Sequence, residues 1–95
     1  MANLPQQVNC DVDVPMEHRH GLFANSFRVL PDGAEFLLDF LVYSNLEKSA
    51  VLVSRIRIHG GLLNAIRNRL SATLTEVAPK TQSPVVVMQG NDEIH

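Results

Sequence analysis

The stretch EFLLDFLVYS, Glu35–Ser44, decides how this chain is read. Its even positions, Phe36, Leu38, Phe40 and Val42, are all apolar. A two-residue period of this kind predicts a strand with one face on a core. The odd positions should then face water, yet Leu37, Leu41 and Tyr43 stand there beside Glu35 and Asp39. A strand wetted on one side normally alternates cleanly. Three large apolar side chains on the outer face therefore predict that something else covers it, and the reading adopted is a second copy of the chain.

Working outward, PDG at Pro31–Gly33 predicts a tight turn, with proline presetting φ and glycine accepting positive φ. Before it, LFANSFRVL (22–30) reads as a strand with Phe23, Phe27 and Val29 on one face. After the polar loop SNLEKS, AVLVSRIRIH (50–59) reads as a third strand, with Leu52, Ile56 and Ile58 on one side and Val51, Val53, Arg55 and Arg57 on the other. Gly60 and Gly61 break that strand. From there Leu63, Ile66, Leu70, Leu74 and Val77 recur at steps of three or four, the apolar stripe of an amphipathic helix, which Pro79 ends.

Pairing Phe40 with Ser54 and Leu38 with Ile56 aligns the apolar faces, and a one-residue slip would mix them. The expected fold is α+β: a three- to four-stranded antiparallel sheet, one amphipathic helix packed on one face, and extended arms at both ends. Residues 1–20 form an N-terminal arm or edge strand, 21–78 the core domain and 79–95 a C-terminal tail. This register sets Asp39 opposite Arg55, Glu35 near His59, Leu41 opposite Val53 and Tyr43 opposite Val51. The second face then divides. Its polar end holds orientation pairs drawn from Glu35, Asp39, Arg55 and Arg57, with Arg28 beside them. Its apolar end holds the expected oligomer interface, Leu22, Leu37, Leu41, Tyr43, Val51 and Val53, a patch of roughly 400–500 Å². The arms supply further contacts through Val8, Cys10 and Val12 of VNCDVDV and through Val85, Val86 and Val87 of SPVVVMQ, each able to add a strand to a partner's sheet.

The chain has 95 residues, 45% hydrophobic and 19% charged, which implies one folded domain, and an isolated copy of this length is marginal. A net charge of −2 offers no basic excess for a phosphate backbone, so nucleic acid is not an expected partner despite Arg55, Arg57, Arg67 and Arg69. With Cys10 alone, an intrachain disulfide is impossible. The start lacks a basic segment followed by an apolar run, and no apolar stretch approaches the ~20 residues of a membrane span. A cytoplasmic protein with no membrane partner is expected.

Candidate chemistry is thin. His18 and His20 sit two apart and could share a metal, but no third ligand lies near them in sequence, so a solvated loop is preferred. Cys10 lies in an alternating apolar context and reads as a small hydrophobe. HGG before the helix could bind an anion, but a strand-to-helix turn needs such glycines anyway. Glu35 and Asp39 read as partners of arginine, not as a catalytic acid pair. No catalytic residue, cofactor or metal is expected.

LFANSFRV (22–29), EFLLDF (35–40) and VSRIRI (53–58), followed by an amphipathic helix, resemble a group of small bacterial proteins classed only as a domain of unknown function. The resemblance spans roughly residues 21–77. It departs at HGGLLNAI, where such proteins carry a Pro- and His-containing helix entry. It implies a small sheet with a packed helix and self-association, and it supplies no activity. The expected function is a non-enzymatic structural or interaction protein, a homo-oligomeric subunit of a larger assembly. Its concrete form is a phage virion accessory protein that decorates or joins capsid subunits. The alternative is a bacterial regulatory or adaptor module that binds a protein client or small ligand.

Overall fold

In the computed structural model, residues 6–77 and 86–94 are described. Three long strands follow one another: β1 at Ser26–Asp32, β2 at Glu35–Ser44 and β3 at Ser49–His59. Helix α1, Gly60–Glu76, continues from β3 without a loop. A short β4, Val86–Val87, closes the sheet in the order β3-β2-β1-β4. The three long strands are antiparallel, as expected, and the chain is an α+β protein. The fourth strand differs from the rest because β4 runs parallel to β1, with Ser26 beside Val86 and Phe27 beside Val87.

The turns form where the sequence places them. β1 extends through Pro31 and Asp32, and Gly33 takes φ 62° in the two-residue connection to β2. That left-handed angle is the one glycine adopts without a Cβ clash. At the other end β1 starts later than LFANSFRVL suggests. Leu22 and Phe23 lie outside the strand, exposed. Asn25 marks the departure. Its backbone N–H donates to the Leu41 carbonyl at 3.0 Å. Its side-chain amide donates to the Tyr43 carbonyl at 3.0 Å and accepts from the Tyr43 N–H at 2.7 Å. The side chain thus extends the ladder past the point where the main chain leaves it.

The hairpin of β2 and β3 follows the expected register from Glu35 opposite His59 to Phe40 opposite Ser54, and Asp39 faces Arg55. It then shifts. Leu41 lies opposite Leu52, not Val53, and Tyr43 opposite Ala50, not Val51. A β-bulge between Phe40 and Leu41 causes this: two residues on β3 oppose one on β2, and Val53 is the extra residue. Because side chains alternate, the slip moves Leu52 from the helix side to the second face beside Leu41, correcting its sequence assignment.

α1 begins with a side-chain cap. His59 Nδ1 accepts from the Leu62 N–H at 3.1 Å, satisfying one of the open N-terminal donors. Gly61 makes room: a Cβ there would crowd the His59 ring at 3.1 Å, whereas one on Gly60 would sit at ordinary contact distance, 3.6 Å, from Phe36. The break after β3 is therefore a cap joint, not a loop.

The first turns of α1 lie over the face of Phe36, Leu38 and Phe40, but no α1 residue is buried. Among the described residues, the buried apolar side chains are Leu41 at 4% exposure and Ile58 at 6%. A sheet and helix of this size have therefore formed almost no closed core.

Candidate interaction surfaces

On the second face, register brings charge inward. Arg28 lies opposite Asp39 across β1 and β2, and Arg55 opposite Asp39 across β2 and β3. Asp39 has 0% exposure. An isolated carboxylate buried in this way would cost several kcal/mol. Here it accepts from Arg28 Nε at 2.8 Å and from Arg55 Nε and Nη2, both at 2.8 Å. Arg55 grips both oxygens, the geometry that makes guanidinium–carboxylate pairs strong.

A second carboxylate arrives from the far end of the chain. Asp92 accepts from Arg28 Nη2 and from Arg55 Nη2, the latter at 3.2 Å. Arg28 Nη1 donates to the Gly90 carbonyl at 3.2 Å, and the Met88 N–H donates to the Phe27 carbonyl at 2.8 Å. The segment after β4 therefore crosses the second face and is clamped there by two arginines and two aspartates of zero summed charge. The hydrogen bonds from Arg55, with help from Arg28, hold the Asp39 carboxyl below its ordinary range against the opposing effect of burial. Asp92 is held down in the same direction, by Arg28 first and then Arg55. Both guanidinium groups are raised, chiefly by Asp39. Such groups stay ionised at neutral pH, which suits a fixed clamp and not proton transfer.

The expected interface residues are dispersed. Leu41 is buried within the chain, in a cleft of about 670 Å³ between the sheet and residues 88–94, so it is not part of a free patch. Leu37, Tyr43 and Val53 are half-buried. Leu22 and Val51 are exposed, Leu22 off the strand and Val51 shifted by the bulge to lie opposite Val42. Of the orientation pairs, Asp39–Arg55 forms inside the chain, so it is not a rim contact. Arg57 Nη1 donates to Asp32 at 2.6 Å and lies 3.5 Å from Glu35.

The arms separate as well. Val8, Cys10 and Val12 are exposed on extended backbone. Val86 and Val87 pair with the chain's own β1, so this strand addition is intramolecular. Val85 lies outside the described residues. His18 and His20 fall in and just after a single 3-10 turn, Met16–His18, and among the described residues no three metal-ligating side chains converge.

The open surface is on the helix side, where sequence reasoning placed a closed core. An apolar groove of about 800 Å³ runs between α1 and the sheet, walled by Phe27, Val29, Phe40, Leu63, Ile66 and Leu70. From Ser71 to Val77 every residue is exposed. Leu70, Leu74 and Val77 retain 58%, 59% and 63% exposure. Among the described residues, no helix is long and apolar enough to cross a membrane.

Comparison of the chain with protein-family models, with characterised proteins and with solved structures gives no match. The fold and these two surfaces define an α+β chain with one face clamped by its own C-terminal segment and the other open.

Proposed function

We propose that this chain works as a non-enzymatic, self-associating subunit that holds protein surfaces together. One observation carries the reading: only Leu41 and Ile58 are buried among the apolar side chains described, while the groove under α1 stays open. A small domain that buries so little requires further apolar contact to be stable, and a second copy is the most accessible source. The exposed N-terminal arm, with Val8, Cys10 and Val12 on extended backbone, supports further contact with other subunits by strand addition. A virion accessory subunit is the narrow form of this proposal.

The groove also supports a second reading, an adaptor that receives an apolar helix or ligand from a client. Light scattering coupled to size-exclusion chromatography separates the two. Self-association predicts a mass at a multiple of 10.5 kDa at micromolar concentration. A well-folded, cooperatively melting monomer would sink the first reading and leave the second.

A further inference from the structure

The groove and the helix are incomplete in complementary ways. α1 has 17 residues, about 25 Å of helix. Its first part, through Leu70, lines the groove. Its last part, from Ser71, touches no wall of the groove yet carries Leu74 and Val77. Together with Leu70 these stand at i, i+4 and i+7, the spacing of a helix that anchors in an apolar groove. Each copy therefore has a groove that lacks a helical segment and a helical segment that lacks a groove.

Resting on the self-association proposed above, we infer that the C-terminal half of α1 from a second copy fills this groove, reciprocally, about a two-fold axis near Leu70. The occupant is another copy because the same chain supplies both halves of the fit, as a two-fold interface requires. Charge selects the orientation. α1 carries Arg67 and Arg69 in its middle and Glu76 at its end. Antiparallel helices bring Glu76 of one copy toward the arginines of the other, whereas parallel helices would align like charges. In the antiparallel order Leu74 of one copy meets Ile66 of the other, and Val77 meets Leu63.

The area is sufficient. Val29, Phe40, Leu70, Leu74 and Val77 are between 36% and 63% exposed. With about 150–200 Å² for a fully exposed large side chain, they offer about 450 Å² of apolar surface per copy. Two copies then bury about 900 Å², and the flanking polar side chains Asn64, Arg67 and Thr73 bring the total toward the ~1,200 Å² of standard stable interfaces. The second face offers less, because residues 88–94 already occupy it.

The test combines mass and cross-linking in a Cys10→Ser background, since Cys10 is exposed and would cross-link indiscriminately. Leu70→Cys at the proposed axis should form a disulfide-linked dimer under mild oxidation, since Leu70 is 58% exposed in one copy. Ser49→Cys, exposed on the rim of the second-face cleft, should not. Leu74→Asp should weaken dimerisation by about 30-fold or more, the effect of losing an interface anchor. Its far-UV circular dichroism should not change, because Leu74 is largely exposed in one copy. Should Leu74→Asp unfold, the Leu70→Cys result decides alone. A dimer that cross-links through Ser49→Cys and not Leu70→Cys overturns the helix–groove arrangement and leaves self-association standing. A folded wild-type monomer overturns both.

Discussion

Asp39 is the residue on which the second face turns. It sits mid-strand with no exposed surface, and its cost is offset by the three hydrogen bonds it accepts from Arg28 and Arg55. Removing one partner of a buried pair leaves the other uncompensated, so Asp39→Ala should destabilise the chain by about 3–5 kcal/mol, read as a fall in the thermal midpoint. Acid should act through the same groups. Asp39 and Asp92 both have folded-state pKa values below their ordinary 3.8. The unfolded chain therefore binds protons more readily, and the clamp's contribution is complete above that range and lost as pH falls through the folded values. The urea midpoint should hold steady from pH 7 to about 5 and drop below about 4. Asp92→Asn should flatten that drop; an unchanged acid profile in this variant would dissociate Asp92 from the effect. Residues far apart in the sequence acquire joint physical roles here: Asn25 extends a ladder, and Arg28, Asp39 and Arg55 form one ion cluster.

At the scale of elements, β3 and α1 are joined rigidly. His59 ends the strand and caps the helix, with Gly60 against Phe36 and Gly61 beneath the imidazole. His59→Ala should cost about 0.5–2 kcal/mol and reduce helical signal, while His59→Asn should retain most of the stability, since asparagine is a strong cap. Equal loss in both variants would show that the ring's packing matters and not its acceptor. The bulge at Val53 has a comparable reach. It increases local twist and turns Leu52 toward Leu41, which adds an apolar wall to the cleft under residues 88–94. The bulge shows in the strand lengths, eleven residues in β3 against ten in β2, whereas the sequence reading gives both strands ten.

At the scale of the molecule, the two faces have exchanged the roles that patterning assigned them. The helix face, patterned as core, is the open one. The second face, patterned as interface, is crossed by the chain's own residues 88–94, which leave a cleft of about 670 Å³ against the sheet. Light scattering on the wild type is the whole-molecule experiment, and a mass at twice 10.5 kDa is the outcome expected.

The α+β class, the three antiparallel strands, the helix and the pairing of Asp39 with Arg55 were legible in the residues alone. These rest on local information: alternation, a stripe at three and four, and turn residues whose φ preferences act within a few positions. Which face was left free followed from contacts between distant segments. Asp92 lies 64 residues from Arg28, and nothing local links them. The one available signal was a charge imbalance, two arginines around a single aspartate, which called for another carboxylate without saying from where. The bulge depends likewise on how one strand sits against its neighbour. Periodicity shows that a side chain is apolar and which way it faces, but what covers it depends on contacts between distant parts of the chain.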